Sequence, residues 1–282
     1  MITWPNSLVN EIAKRRCLLF LGAGVAASAN NAKGERPLDW NKFLVSATDL
    51  VNDSAIKEEV LKLIESNKLL LALQAVKDTS DPGDYQALLN ECFNDSTFEP
   101  SELHSIIFDL DSRFVITTNF DKIYEKHCQK VSQEGFKTVP YYSESLADEI
   151  RSDTRLIIKA HGSIDDISKM VFTRAEYHQA KKNYSSFYDM LKALLLTNTC
   201  IFIGCGMEDP DVLLLLEEIK MTTNTSRPHY ALLRQGSHSS FTTRDLLSTY
   251  SVKSLTYGPD HSDLIVSLKE LHEQIEGIRA IS

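Results

Sequence analysis

Long apolar runs are missing from this chain. No stretch approaches the ~18 uninterrupted apolar residues that a membrane-spanning helix needs. The opening residues, M-I-T-W-P-N-S, also lack the basic and apolar regions of a secretory signal. Cysteine is sparse: five in 282 residues, an odd and scattered set that predicts reduced thiols in a cytoplasmic protein. Cys200 and Cys205 are the only close pair, and their spacing fits no common zinc pattern, so no metal is expected. Positive charge is short as well. Thirty Lys and Arg against 39 Asp and Glu give a formal net charge of −9, with no Lys/Arg-rich run, which argues against a direct nucleic-acid partner. There is no internal repeat, low-complexity tract or clear linker. What remains is 43% hydrophobic and 24% charged, an ordinary globular composition that fits one large α/β domain carrying a smaller insertion.

The most informative stretch is Cys17 to Ser28, C-L-L-F-L-G-A-G-V-A-A-S. Five consecutive apolar residues describe a strand buried on both faces of a parallel sheet. The run breaks at Gly22-Ala23-Gly24 and continues into small residues able to open a closely packed helix. Glycine permits a sharp turn and close approach to a ligand, and free N–H groups at the helix start suit a phosphate or pyrophosphate. Read as G-x-G-x-x-A, the stretch matches the dinucleotide fingerprint with alanine last. That fingerprint also needs an acidic residue ~20 positions on, ending a second strand. Asp39 has roughly that spacing but lies between Leu38 and Trp40 after Pro37, which is no strand, so an ordinary nicotinamide dehydrogenase is disfavoured.

Further along, residues 6–15 read as a short amphipathic helix, and Asn30 to Arg36 as a polar segment that is either a closing loop or plain surface. Asn41 to Phe93 is almost wholly helical in pattern, with a turn at Asp81-Pro82-Gly83-Asp84, and predicts a helical insertion at about 41–100. Strands are expected at Arg113–Thr117, Arg155–Ala160, Cys200–Ile203, His229–Leu233 and Val252–Tyr257. Helices are expected at 101–110, from Asp121 through Lys130, at 176–196, after Asp209-Pro210, near Arg244 and from Ser262. The fold class is therefore α/β: a Rossmann-like, mostly parallel sheet with helices on both faces. Ligands in such sheets bind outside the carboxyl ends of the strands. Those ends carry Gly22-Ala23-Gly24, Thr118-Asn119-Phe120-Asp121, His161-Gly162 and Gly204-Cys205-Gly206, four signals converging on one edge.

In this order the four signals resemble the sirtuin family, whose members carry G-A-G-x-S, T-Q-N-x-D, H-G and a later glycine-rich turn. The resemblance spans roughly residues 15–260. Three departures stand out: no zinc ribbon with paired Cys-x-x-Cys follows His161-Gly162, no G-I-P-D-F-R loop follows Gly24, and Thr118 stands where glutamine is usual. The chain looks more like the zinc-less sirtuin-like domains of bacterial immune systems, which hydrolyse NAD. Arg174-x-Glu176-Tyr177 and Glu208-Asp209-Pro210 are similar to that branch too.

The resemblance implies cleavage of NAD to nicotinamide and ADP-ribose. Asn119 would hydrogen-bond a ribose hydroxyl or a water, the competing role being a turn asparagine. Asp121 fits two roles equally, orienting that amide or a ribose hydroxyl, or serving as a helix N-terminal carboxylate. His161 is the general-base candidate, acting on a ribose hydroxyl or on the attacking water. Gly22, Ala23 and Gly24 would approach the pyrophosphate, with Ser28 a weaker phosphate contact; Thr118, Gly204 and Gly206 complete the expected binding set. Asp209 reads as a cap, Tyr177 and Phe120 as packing. The alternatives are an NAD-dependent protein deacylase or ADP-ribosyltransferase, and a non-catalytic NAD or ADP-ribose sensor. Since no sensor domain is recognisable, the trigger is expected from a homo-oligomer, a separate partner protein or a region outside this sequence.

Overall fold

The computed structural model describes residues 2–132, 135–223 and 227–281. Seven parallel strands form one sheet: β1 (Cys17–Leu21), β2 (Phe114–Thr117), β3 (Phe136–Pro140), β4 (Arg155–Lys159), β5 (Thr199–Ile203), β6 (His229–Arg234) and β7 (Val252–Tyr257). Their order across the sheet is β3-β4-β2-β1-β5-β6-β7. The central strand β1 is buried at every position. Leu18 and Phe20 enter one core layer, while Cys17, Leu19 and Leu21 enter the other. Helices cover both faces, which is why the strand reads as a continuous apolar run with no alternation. Each such side chain contributes roughly 1.5–3 kcal/mol by leaving water.

The strand order reverses beside β1. After β1 the chain lays β2 beside it, β3 at the far edge and β4 between those two, then crosses to the other flank with β5. Leu21 is paired with Thr117 of β2 on one side and Ile203 of β5 on the other. A crevice opens at the carboxyl ends of strands flanking such a reversal.

The bounds of β1 and β7 match the sequence expectation, and β2, β4, β5 and β6 differ from it by one residue. β3 was not expected. It pairs with β4 alone, keeps only Val139 buried and ends on Pro140. An edge strand solvated on one side needs no apolar run and tolerates proline, so it carries no strong pattern. The helix expected over 176–196 is two, Arg174–Asn183 and Ser185–Thr197, parted at Tyr184.

Residues 40–93 contain the helices Trp40–Ala47, Ser54–Glu65, Leu69–Thr79 and Pro82–Phe93. Asp39, Asp53 and Asp81 cap three of them, each side chain accepting backbone N–H groups of the first turn. Their apolar faces, including Leu44, Val60, Leu73 and Val76, form a separate core. Phe120 and Phe172, from the chain after β2 and after β4, belong to that same core. The helical segment is thereby packed against the carboxyl edge of the sheet.

Candidate active site

A cavity of about 1000 Å³ lies over that edge. Its walls include Gly22 and Ala23 after β1, Thr118 to Asp121 after β2, His161 after β4, and Gly204, Gly206 and Asp209 after β5. The opposite wall comes from the helical segment through Pro37–Trp40, Phe43 and Phe93.

The two glycine turns interlock. The Gly22 N–H donates to the Ile203 carbonyl at 3.0 Å, continuing the sheet ladder, and the Gly24 N–H donates to the Gly204 carbonyl at 2.9 Å. A Cβ on Gly22 would stand 2.6 Å from the Gly204 oxygen. Gly204 itself has φ +67°, and its Cβ would stand 2.6 Å from the Val25 nitrogen. The glycines are required first by this contact between turns, and only then by any ligand. Of the three expected N–H donors, Gly22 and Gly24 are engaged, whereas Ala23 begins the short helix Ala23–Ala26 and has no backbone partner among the described residues. Ser28 also departs from the expected phosphate contact. Its hydroxyl donates to the Val25 carbonyl at 2.6 Å and lies 2.7 Å from Ser101 Oγ, so it braces the turn from behind the cavity wall.

Asn119 is tied to the first glycine turn. Thr117 Oγ1 donates to the Leu21 carbonyl at 2.9 Å and accepts the Asn119 N–H at 3.1 Å. The Asn119 side-chain amide donates to the Gly22 carbonyl at 3.0 Å. Among the described residues its amide oxygen has no partner, leaving an acceptor on the cavity wall. Asp121 accepts the Ile123 N–H at 2.9 Å, which makes it the N-terminal carboxylate of the helix Ile123–Val131. It also lines the cavity.

His161 follows β4 by two residues, its side chain only 15% exposed. Gly162, at φ +86°, lets the chain turn away beneath it; a Cβ there would meet the Lys169 carbonyl at 2.6 Å. His161 Nε2 lies 3.9 Å from Asp209 Oδ2, within ion-pair reach. Asp209 is a cap as expected, its other oxygen accepting the Val212 N–H at 3.3 Å. Its nearness to the imidazole was not legible, because the two residues are 48 positions apart.

A second missed feature lies under the Asn119 loop. Lys159 Nζ is 2.8 Å from Glu125 Oε1, with side chains only 1% and 6% exposed. Burial pushes the Glu125 carboxyl above its ordinary value while the Lys159 charge pulls it down. A lysine ending the doubly buried strand R-L-I-I-K was the available signal. On the rim, Lys122 and Lys126 are held by Asp165 at 2.6 Å and Glu99 at 2.5 Å. Cys205, in the second turn, has its thiol pushed up by burial and donates to the Phe20 and Ile203 carbonyls, each at 3.6 Å. Among the described residues, no three His, Cys, Asp or Glu side chains are grouped to hold a metal ion. No described helix is long and apolar enough to cross a membrane.

Comparison with known proteins gives a consistent set. Residues 113–255 match the model of the SIR2-like domain. The chain is 29% identical over 229 residues to a protein of Enterococcus faecium named NAD(+) hydrolase ThsA, covering 79% of this chain and 44% of that protein. A protein of the same name from Cytobacillus dafuensis is 25% identical, with 83% of this chain and 45% of that protein covered. Defense-associated sirtuin 2 of Bacillus subtilis is 24% identical across 73% of this chain and 19% of its own length. The chain thus spans less than half the length of these relatives. With the family model covering residues 113–255, half of its length, this chain belongs to the SIR2-like domain family.

Proposed function

We propose that this chain hydrolyses NAD to nicotinamide and ADP-ribose, and that it acts in bacterial anti-phage defence by depleting NAD. One observation carries the reading: Asn119 and His161, from the adjacent strands β2 and β4, share one cavity with the interlocked glycine turns. The cavity is at the upper end of ordinary ligand sites, as an extended dinucleotide requires. The names of the relatives point the same way.

In the reaction, the bond between ribose C1′ and the nicotinamide nitrogen breaks, and its electron pair leaves with nicotinamide. A water oxygen bonds to C1′, and its proton passes to His161 and then to solvent. Asp209, 3.9 Å away, stabilises the imidazolium so formed. Asn119 holds the ribose or the water through its amide oxygen, and Asp121 supports that arrangement. Thr118, Gly22, Ala23, Gly204 and Gly206 form the wall against the dinucleotide, with Gly24 and Ser28 holding the turn from behind. We take the chain as one sirtuin-like unit with a helical insertion at about 41–100. It works in the cytoplasm, with control supplied by a homo-oligomer or a separate sensing protein.

The test is to incubate the purified chain with NAD over a range of protein concentrations, with and without an acetylated peptide. Equal amounts of nicotinamide and free ADP-ribose are expected, independent of peptide. Deacetylated or ADP-ribosylated peptide would replace hydrolysis by the transfer reading, and binding without turnover at any concentration, with the product of an adjacent gene added as well, by the sensor reading.

A further inference from the structure

The pair Lys159–Glu125 takes no part in the proposed chemistry, yet among the described residues it is the most deeply buried pair of opposite charges. Burying two charges is costly, and such pairs are commonly replaceable by apolar residues without loss of stability. Fold stability is therefore a weak reason for its presence. What the pair holds is more telling. Lys159 Nζ also donates to the backbone carbonyl of Asp121 at 2.6 Å. One ammonium thus pairs its charge with the Glu125 carboxylate and donates to the loop that carries Asn119.

Position in the chain makes the arrangement a brace. Lys159 ends β4, two residues before His161, while Asp121 lies two residues after Asn119. Glu125 stands in the first turn of the helix Ile123–Val131, whose start Asp121 also holds. Underneath, a hollow of only about 10 Å³ is lined by Asn119 and Asp121 on the loop and by Glu125 and Lys159 on the brace. Other ties of this loop run to Thr117 Oγ1 through the Asn119 N–H at 3.1 Å, and to the first glycine turn through the Asn119 side chain and to Ile164 through the Phe120 carbonyl, at 3.0 Å each.

We infer that Lys159, held in place by Glu125, is a positioning residue that fixes the Asn119–Asp121 loop relative to His161. The inference rests on the NAD-cleavage reading of this site. An apolar residue of similar volume would fill the space but leave the Asp121 carbonyl without its donor, and the loop could then shift toward the hollow. Displacement of a substrate-holding group by about 1 Å costs on the order of 10²-fold in rate.

Lys159→Met alone would strand the buried Glu125 charge, so the test combines Lys159→Met with Glu125→Leu in the full chain. Three quantities are read: the melting temperature, hydrogen exchange of amides 118–123, and kcat and KM for NAD under conditions where the wild type turns over. The expected result is a melting temperature within a few degrees of wild type, faster exchange confined to 118–123, and kcat lowered about 10²-fold with KM little changed. A folded double variant with wild-type exchange and kcat overturns the role. If that variant does not fold, Lys159→Gln with Glu125→Gln replaces it; failure of both to fold assigns the pair to the fold and overturns positioning. The exchange arm needs no substrate, so a wild type that leaves NAD intact refutes the proposed reaction while exchange still decides the brace.

Discussion

Replacing Gly204 by alanine tests the contact on which the site geometry depends. Two costs follow from the structure. At φ +67° an alanine occupies the left-handed region, which costs about 1–2 kcal/mol. Its Cβ would also stand 2.6 Å from the Val25 nitrogen and 3.0 Å from the Gly24 carbonyl carbon and Val25 Cγ2, an overpacking worth about 1–3 kcal/mol. Together these reach roughly 2–5 kcal/mol, which at about 2–4 °C per kcal/mol lowers Tm by around 10 °C. Gly236→Ala is the control, since Gly236 has φ +78° but nothing within 4 Å of its Cβ position, and so carries the strain without the clash. Thermal melts of both variants beside wild type give the difference. Below its Tm, Gly204→Ala should also lose activity, because pushing the turns apart moves the Gly22 carbonyl that anchors the Asn119 amide. Equal melting of the two variants, or wild-type turnover by Gly204→Ala, would refute the interlocked-turn account.

His161→Ala should leave Tm nearly unchanged, since it deletes little core, and lower NAD turnover about 10²–10⁴-fold. Wild-type turnover in the folded variant removes His161 from the mechanism. A third expectation concerns control: amides 28–40 should gain protection from hydrogen exchange when the chain assembles or meets its partner. Equal protection in both states, with full activity in the monomer, would sink that idea.

How legible was this in the sequence? The centre of the sheet was, because a strand buried on both faces must be apolar throughout, and C-L-L-F-L has no other good reading. The carboxyl-edge signals were also legible, since glycines and a lone H-G stand out against apolar runs. β3 was not, because an edge strand with one buried residue carries no periodicity. The roles of the glycines were only half legible. Sequence pattern marks a tight turn, but cannot say that Gly24 spends its N–H on Gly204, 180 positions away. The same limit hid the pairing of His161 with Asp209 and of Lys159 with Glu125, each joining residues that only the parallel topology brings together. The polar segment after the first glycine turn shows a smaller shift. Asn30 to Arg36 is partly pinned, by the Asn31–Glu35 turn and the Asn30 carbonyl accepting from Glu99 at 2.9 Å, while the residues that reach the cavity are the next ones, Pro37 to Trp40.

That shift bears on where control can act. The loop carrying Asn119 is fastened by Thr117, Gly22 and Lys159, and the His161 carbonyl accepts the Val171 N–H at 2.9 Å, so moving either means breaking buried or part-buried bonds. The opposite wall is fastened differently. Trp40 is 36% exposed and touches Phe43 and Phe172 edge-on, with centroids 5.7 and 5.9 Å away. Edge contacts of this kind contribute about 0.5–1.5 kcal/mol each, a bias that contact with another subunit could match or reverse. A site built this way keeps Asn119 and His161 in register. What can vary at low cost is access, through Pro37–Trp40, ahead of the buried Phe43, Leu44 and Ala47. Under the proposed control by assembly, a subunit or partner docking on the helical segment would govern turnover without touching Asn119 or His161, and a substitution there should change the response to assembly more than the chemistry itself.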